Sequence, residues 1–322
     1  MKALVTGGAG FIGSHLCGRL LEMGWDVTVI DDLSTGRLSN IKQILDNQHF
    51  RFIEGSVRDA QVMEELASEC DVIFHLAAAV GVQLIVDRPV HTIETNIHGT
   101  EVVLEIANRF KKRVLLASTS EVYGKNERVP FLEDDDTLWG STRFSRWSYA
   151  CSKAIDEFLA FAYHDQFGLD VVIARIFNTI GPRQVGQYGM VVPRFIQWAL
   201  KNEPVLIYGD GRQSRCFAYV GDVADGLIGL ISDDKAAGRV YNIGSDEDIT
   251  IEGLADLVIA KTGSRSEKRF VPYKQAYGKE IDDMLRRVPS LERIREQIGY
   301  EPKVNLERTL EIIIDYFKEI NE

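Results

Sequence analysis

Short apolar runs alternate with amphipathic runs along the first half of the chain. The apolar runs have the length and the Val, Ile, Leu and Phe content of buried strands, and the amphipathic runs space their apolar positions as helices do. The predicted strands cover residues 2–6, 26–30, 50–54, 72–76, 113–117 and 171–175. The first predicted helix follows the first strand and ends near residue 23, and the other predicted helices cover about 59–69, 89–109 and 148–167. This alternation predicts an α/β fold built on a doubly wound parallel sheet with right-handed crossovers.

The pattern changes after residue 176, where turn residues break the chain into shorter elements. The predicted strands and helices in this part lie near residues 190–201, 205–208, 221–232, 240–243, 250–262 and 305–320. We expect residues 1–176 to form one domain and residues 177–322 to form a smaller, interwoven region that completes a ligand cleft. The sequence contains no internal repeat and no low-complexity linker.

Composition and charge argue against several classes of function. The chain has 322 residues, of which 45% are hydrophobic and 26% charged, as in ordinary globular proteins. Its net charge of −11 disfavours broad binding to nucleic acid or to anionic membranes. We see no apolar run long enough to span a bilayer and no signal sequence, and we therefore expect a cytoplasmic protein. The four cysteines and six histidines lack the spacing of metal ligands, so we expect no metal site.

A glycine-rich turn directly follows the first predicted strand. Its glycines, Gly7, Gly10 and Gly13, allow a close approach of the backbone to a pyrophosphate, and the following helix supplies amide donors at its N-terminus. The second predicted strand ends in Asp31 and Asp32, which are placed to bind the hydroxyls of an adenosine ribose. Because a carboxylate there would repel a 2′-phosphate, we expect NAD in preference to NADP.

Three hydroxyl side chains, at residues 118–120, follow the fifth predicted strand. They lie at the carboxyl edge of the sheet, where open α/β sheets bind ligands. The next predicted helix carries Tyr149 and Lys153, which share one helix face at a spacing of four residues. We expect Lys153 to lower the pKa of the Tyr149 phenol, which would let the phenolate act as a base.

Taken together and in this order, the motifs resemble those of the extended short-chain dehydrogenase/reductase family. The resemblance covers nearly the whole chain and rests on Gly7-x-x-Gly10-x-x-Gly13, Asn96-x-x-Gly99-Thr100, Thr119 and Tyr149-x-x-x-Lys153. Segments 175–183 and 208–217 are similar to nucleotide-sugar epimerases, decarboxylases and dehydratases. One departure lies at residues 55–57, where many relatives have an Asp that binds the adenine amino group; Ser56 could take that part.

The resemblance implies a Rossmann domain that binds NAD, a UDP-sugar substrate and a role for each site residue. Tyr149 is the implied base, Lys153 its electrostatic partner and a ligand of the nicotinamide ribose, and Thr119 the group that binds the reacting sugar hydroxyl. The implied cofactor contacts are Gly7, Gly10, Phe11, Ile12, Gly13, Asp31, Asp32, Ser56, Val57, Leu76, Ala77, Ala78, Asn96, Ser118, Tyr149 and Lys153. The implied substrate contacts are Thr119, Asn178, Arg183, Val192, Arg194, Tyr208, Arg215 and Arg287.

Three reactions of a shared 4-keto sugar compete. In this family the 4,6-dehydratases use an Asp-Glu pair after the threonine, whereas this chain has Ser120 and Glu121, which disfavours dehydration. Ser120 and Glu121 with a distant Arg215 resemble the UDP-glucuronate decarboxylases. Segment 181–195 looks more like bacterial UDP-sugar 4-epimerases, including those that act on UDP-glucuronic acid. We therefore expect a 4-epimerase of UDP-glucuronic acid, with the decarboxylase as the alternative.

Two further alternatives stay open from the sequence. Arg183 and Arg194 could hold a sugar carboxylate, but some uronate epimerases have an arginine where this chain has Val185, so a neutral UDP-sugar is also possible. A non-catalytic NAD-binding relative is disfavoured because Tyr149 and Lys153 are both present.

The helices at 89–109 and 148–167 carry apolar residues on more than one face. In the family that this chain resembles, these two helices form a four-helix interface between subunits. We therefore expect a homodimer.

Overall fold

The computed structural model describes residues 1–81, 85, 87–186, 190–277 and 284–320. Its strands are β1 Lys2–Thr6, β2 Asp26–Asp31, β3 Phe50–Glu54, β4 Val72–His75, β5 Arg113–Thr119, β6 Val171–Ile176, β7 Thr179–Ile180, β8 Val205–Tyr208, β9 Ser214–Cys216, β10 Ala218–Tyr219, β11 Arg239–Ile243, β12 Asp248–Thr250 and β13 Lys268–Val271. Its α-helices are α1 Phe11–Glu22, α2 Leu38–Ile41, α3 Ala60–Glu69, α4 Pro89–Phe110, α5 Arg146–Phe167, α6 Val191–Leu200, α7 Val220–Ser232, α8 Ile251–Thr262, α9 Tyr273–Tyr277, α10 Glu292–Ile298 and α11 Leu306–Glu319.

Within the described part of the chain, a seven-stranded parallel sheet has the order β11-β6-β5-β4-β1-β2-β3. Side chains alternate between its faces, so that Leu4 packs with the apolar residues of α3 and α4 while Val5 packs with those of α1 and α7. Helices therefore cover both faces, which is why the strands read as continuous apolar runs. The sheet confirms the predicted Rossmann fold.

Three helices of the C-terminal part enclose a second apolar core. Residues of α6, α8 and α11 contribute to it, and α11 supplies Leu306, Leu310, Ile313 and Phe317 at helical spacing. The side chain of Asn305 caps α11 by accepting a hydrogen bond from the amide of Arg308 at 2.9 Å. The described residues of this part of the chain also form three two-stranded sheets, which pair β7 with β10, β8 with β13 and β9 with β12.

Strand β11 corrects one prediction. The sequence pattern placed the strand near 240–243 in the smaller C-terminal region, but β11 pairs in parallel with β6 as an edge of the main sheet. Its residues Val240, Tyr241 and Ile243 are buried against that sheet. The chain thus returns to the main sheet after residue 177. The division at residue 176 stays a prediction.

Candidate active site

A cleft of about 460 Å³ lies at the carboxyl ends of the strands and extends towards the second core. The strand order reverses between β1 and β4, which is where open α/β sheets bind their ligands. Residues predicted to contact the cofactor that line this cleft are Gly7, Gly10, Phe11, Ile12, Gly13, Asp31, Asp32, Ser56, Val57, Leu76, Ala77, Ala78, Ser118 and Tyr149. Thr119, Ser120, Glu121, Asn178, Val192, Arg194, Tyr208, Arg215 and Arg287 line it as well. The other three, Lys153, Asn96 and Arg183, are not among its lining residues.

The glycine turn between β1 and α1 fits a dinucleotide. Gly7 has a φ of +73°, and a Cβ there would lie 2.8 Å from the amide nitrogen of Ala77. A Cβ at Gly13 would lie 2.3 Å from the carbonyl oxygen of Gly7. Gly10 caps α1 with no side-chain hydrogen bond, so the first amides of the helix face the cleft without competition from a capping side chain. This cradle suits a pyrophosphate.

Asp31 is fixed at the end of β2 by backbone donors. Its Oδ2 accepts a hydrogen bond from the amide of Ala9 and its Oδ1 one from the amide of Leu33, both at 2.9 Å. Burial raises the pKa of Asp31, and these amides act in the opposite direction. Because each carboxylate oxygen has a second lone pair, Asp31 can still accept hydrogen bonds from ribose hydroxyls. The position fits the predicted preference for NAD.

Tyr149 lies in the first turns of α5, beside the end of β5. Its side chain is buried, and the hydroxyl of Thr119 hydrogen-bonds the phenol. Burial raises the pKa of Tyr149 above its usual range, the Glu121 carboxylate raises it further, and the Thr119 hydrogen bond lowers it. The prediction that the pKa of Tyr149 is lowered is therefore wrong for this arrangement.

Lys153 forms an ion pair with a carboxylate on its own helix. Its Nζ donates a hydrogen bond to Oδ2 of Asp156 at 2.8 Å, and both side chains are almost fully buried. The spacing of Tyr149 and Lys153 correctly places them on one helix, but it does not show that a carboxylate three residues further takes the ammonium. Lys153 is not among the residues that line the cleft, and its direct contact with the cofactor stays a prediction.

Asn96 is held by hydrogen bonds to two other segments, and its contact with the cofactor stays a prediction. Its side-chain oxygen accepts a hydrogen bond from the amide of Ala79 at 2.8 Å, and its nitrogen donates to the hydroxyl of Ser152 at 3.2 Å. Asn96 thus joins the segment after β4 to α5 and shapes the cleft wall from behind. One turn later, a Cβ on Gly99 would lie 2.9 Å from Val57, so this helical glycine allows close packing.

Glu121 forms an ion cluster at the cleft wall. It lies in a 3₁₀ helix, Ser120–Tyr123, that Thr119 caps by accepting a hydrogen bond from the amide of Glu121 at 3.2 Å. Arg287 donates to Oε1 of Glu121 at 2.7 Å, and Arg146 donates to the same oxygen at 3.3 Å. All three side chains are largely buried. Sequence reasoning missed Arg146, although its position three residues before Tyr149 puts both on one helix face.

The far end of the cleft carries aromatic and amide groups. The Arg194 guanidinium lies 4.8 Å from the ring centre of Tyr208 and donates to its hydroxyl at 3.2 Å. Val192 is buried beside them in the second core. The side-chain oxygen of Asn178 is buried and has no hydrogen-bond partner among the described residues, so it can receive a ligand donor. Arg215 donates to the carbonyl oxygen of Ser214 at 2.7 Å.

Arg183 is not among the residues that line the cleft. Its backbone has a φ of 69°, and its guanidinium interacts electrostatically with Tyr219 and Tyr316 while burial lowers its pKa. The role of Arg183 in holding a sugar carboxylate therefore stays a prediction. Residues 187–189 of the segment that suggested an epimerase lie outside the described residues.

The described residues contain neither a membrane-spanning helix nor a candidate metal cluster. None of their helices has the length and apolar content needed to cross a membrane. They also contain no group of three or more His, Cys, Asp and Glu side chains arranged to hold a metal ion. The cytoplasmic location stays a prediction.

The chain is similar to known nucleotide-sugar enzymes. Residues 4–313 match the family described as GDP-mannose 4,6 dehydratase. A UDP-N-acetyl-alpha-D-glucosaminuronate decarboxylase of Bacillus cytotoxicus is 41% identical over 99% of this chain and 98% of that protein. UDP-glucuronic acid decarboxylase 1 of Danio rerio is 39% identical over 98% of this chain and 72% of that protein.

The fold is also similar to that of a solved nucleotide-sugar enzyme. The UDP-glucuronic acid 4-epimerase of Bacillus cereus, in complex with UDP-glucuronic acid and NAD, is 31% identical and has a TM-score of 0.90. The match covers 99% of this chain and 100% of that one. Together with the glycine cradle and Asp31, it confirms NAD as the cofactor. The chain belongs to the GDP-mannose 4,6 dehydratase family, among the NAD-dependent nucleotide-sugar epimerases and decarboxylases of the extended short-chain dehydrogenases/reductases.

Proposed function

We propose that this enzyme decarboxylates a UDP-linked uronic acid through a 4-keto sugar. The observation that carries the proposal is the pair of arginines, Arg146 and Arg287, that meet on the carboxylate of Glu121 at the cleft wall. Guanidinium groups bind carboxylates through charge-assisted hydrogen bonds, so a place that holds one carboxylate suits another. The uronate carboxylate would bind here, close to Thr119 and Tyr149.

The chemistry requires a ketone next to the carbon that bears the carboxylate. Bound NAD⁺ supplies a hydride acceptor for C4 of the sugar. Thr119 holds the C4 hydroxyl while Tyr149 takes its proton. In the resulting β-keto acid, the bond between C5 and the carboxylate carbon breaks, CO₂ leaves, and the electron pair remains on the sugar as an enolate. The protonated Tyr149 donates a hydrogen bond to the enolate oxygen. The proton that C5 takes up comes from water, which we assign Ser120 and the Glu121 carboxylate to position. The hydride then returns to C4 and Tyr149 returns its proton to the C4 oxygen, which gives a UDP-pentose.

The relatives support the same reaction. Both relatives compared above, from Bacillus cytotoxicus and Danio rerio, have decarboxylase names, and the bacterial one is the more similar to this chain. This support and the arginine pair reverse the order expected from the sequence, in which 4-epimerisation came first. The bacterial relative also makes a 2-acetamido uronic acid a candidate substrate beside UDP-glucuronic acid.

Epimerisation at C4 is the second candidate. The observation that favours it is the similarity to the Bacillus cereus UDP-glucuronic acid 4-epimerase over essentially both chains. In that reaction the same Tyr149 would return its proton to the C4 oxygen after the keto sugar has turned its other face to the cofactor, and the carboxylate would remain. The two candidates therefore differ in the fate of C5, not in the first step.

Incubation with UDP-glucuronic acid or UDP-N-acetylglucosaminuronic acid and NAD⁺ tests the proposal. Mass spectrometry and NMR of the sugar should show loss of CO₂ from one of the two uronates. A product of unchanged mass with inverted C4 would identify an epimerase instead. Turnover of UDP-glucose with no reaction of either uronate would contradict both candidates.

The same assay has a matched control for the arginine pair. Arg146→Met removes a charge-assisted hydrogen bond to the carboxylate and should lower kcat/KM for the uronate about tenfold or more. Arg143→Met removes an exposed arginine three residues earlier and should leave turnover unchanged. Equal kinetics of the two variants would place the carboxylate elsewhere.

We also propose that the far end of the cleft holds the UDP group. Arg194 and Tyr208 form a flat cation and ring pair on which a pyrimidine could stack, and Val192 supports that wall. Asn178 and Arg215 also line the cleft, and we propose them as the acceptor and donor for the diphosphate and sugar. We propose that Lys153, which is buried on the same helix, acts electrostatically on Tyr149.

A homodimer is the assembly that we propose. Helices α4 and α5 pack together and leave large apolar side chains in solvent. On α4 these are Val90 and Ile93, with 66% and 37% of their surface exposed, and on α5 they are Ile155 and Phe158, with 42% and 73% exposed. Pairing of α4 and α5 with the same helices of a second copy would form a four-helix interface and cover these side chains.

A further inference from the structure

A buried carboxylate, Asp156, lies one helical turn after Lys153. Its Oδ2 is 2.8 Å from Nζ of Lys153, and the two side chains are 0% and 3% exposed. The reaction proposed above uses the phenol of Tyr149 on the same helix but gives no task to Asp156.

This ion pair fixes the place of the ammonium. Removing a carboxylate and an ammonium from water is costly unless each finds a partner, and a pair with good geometry resists separation. Burial raises the pKa of the Asp156 carboxyl, and the neighbouring Lys153 ammonium lowers it. Asp156 also raises the pKa of Tyr149. The carboxylate therefore acts on both partners of the expected Tyr-Lys pair.

We propose that Asp156 is a positioning residue that holds the Lys153 ammonium in the interior behind α5 and so sets how much positive charge reaches the Tyr149 phenol. Asp156 is not proposed to touch substrate or cofactor. It acts through Lys153 and through its own charge. The inference rests on the proposed use of Tyr149 as the base, which decarboxylation and epimerisation share.

Other charged and titratable groups face the same three side chains. From α5 itself, from β4, from the 3₁₀ helix and from the segment before α10, these are Glu157, His75, Glu121 and Arg287. Replacement of Asp156 by an uncharged residue leaves all of them in place. A change in pH dependence on that replacement therefore reports the charge of Asp156.

Asp156→Asn keeps the shape of the side chain and removes its negative charge. The loss favours the phenolate of Tyr149 and disfavours the ammonium of Lys153, because both equilibria respond to the same local potential. Both limbs of the kcat/KM profile should therefore move to lower pH, by about one pH unit for a charge removed at short range in a buried site. The matched control is Asp165→Asn, an exposed carboxylate on the same helix, which should leave the profile unchanged.

A second measurement needs neither substrate nor cofactor. In Asp156→Asn the buried Lys153 loses the carboxylate that it is hydrogen-bonded to, so the folded state favours the neutral amine more than in wild type, whereas the unfolded chain keeps this proton up to about pH 10. The unfolded state then binds more protons, and the stability of the variant rises with pH. The difference in Tm between wild type and Asp156→Asn should therefore shrink from about pH 7 towards about pH 10.

The pH profile and the Tm series each support or overturn the proposed role of Asp156. Asp156→Ala makes the same charge change with a different shape and should reproduce both shifts. A uniformly lower rate and a Tm difference that does not vary with pH would overturn the proposal, as would loss of folding in both variants, since Asp156 would then serve only the core. If the wild type epimerises and does not decarboxylate, the profile is measured on that reaction; if no turnover occurs, the proposed function fails while the Tm series still tests the ion pair.

Discussion

At the scale of single residues, side-chain direction decides which neighbours of Tyr149 take part in the site. Spacing alone placed Thr119 and Tyr149 at the edge of the sheet, and the structure joins them by a hydrogen bond. The sequence could not show that Lys153 turns to Asp156 or that Arg146 reaches Glu121, because each contact depends on a rotamer chosen by buried surroundings. Residue spacing identifies candidates, and packing selects the partners.

His75 provides a test of how burial controls a titratable group near the site. Its ring nitrogens lie 2.9 Å from the Thr6 hydroxyl and 3.2 Å from the Thr100 hydroxyl. Burial, with a smaller effect of Lys153, lowers the pKa of His75 to about 3. The unfolded chain takes up this proton near pH 6.5 and the folded protein does not, so the free energy of unfolding should fall by about 2 kcal/mol between pH 7 and pH 5 from this group alone.

Urea unfolding of wild type and His75→Gln across that pH interval measures the effect. The variant should lose less stability on acidification than wild type, whatever its stability at neutral pH. His98→Gln is the control, because His98 is exposed on α4 and should leave the pH dependence of unfolding unchanged. Parallel curves for wild type and His75→Gln would show that His75 takes up its proton equally well in the folded state.

At the scale of elements, local pattern predicts what a segment forms better than where it pairs. The strands β1 to β6 were predicted within one or two residues because they are apolar on both faces. The sequence located β11 but assigned it to the wrong part of the molecule, since pairing with β6 joins residues far apart in the chain. At the first turn of α1, in contrast, the sequence predicted both the local structure and its contacts. The glycines there specify the tight turn and also allow its close approach to the strand ends.

Substitution of two glycines in α1, Gly13 and Gly18, distinguishes the effect of a close backbone contact from the effect of helix propensity. Gly13→Ala would place a Cβ 2.3 Å from the Gly7 carbonyl oxygen and should deform the pyrophosphate cradle, which lowers NAD affinity about tenfold or more. Gly18→Ala, in the same helix, meets no atom within 4 Å and should stabilise the protein by roughly 0.5–1 kcal/mol with unchanged NAD affinity. Calorimetric titration with NAD⁺ and thermal unfolding measure both effects. Equal NAD affinities in the two variants would contradict the assigned cradle.

At the scale of the whole molecule, the sequence predicted that two parts of the chain enclose one cleft. The cofactor side followed from local motifs at the ends of β1, β2 and β5. The opposite wall could not be derived in the same way, because Arg194, Tyr208, Arg215 and Arg287 come from separate short elements that only the folded chain brings together. Arg183 shows the limit of a motif, since its place in the sequence suggested a cleft residue and it is not among the residues that line the cleft.

The outer surface of α4 and α5 leads to the prediction about assembly. Phe158 is 73% exposed on α5, and its burial in a dimer would contribute roughly 1.5–3 kcal/mol in each subunit. Light scattering should give wild type twice the mass of one chain. Phe158→Glu should raise the dissociation constant of the dimer about a hundredfold or more, because it removes apolar area and buries a charge in both copies. Phe270→Glu replaces an exposed phenylalanine on β13 and should remain dimeric; a monomeric wild type, or equal dissociation constants for both variants, would exclude α4 and α5 as the interface.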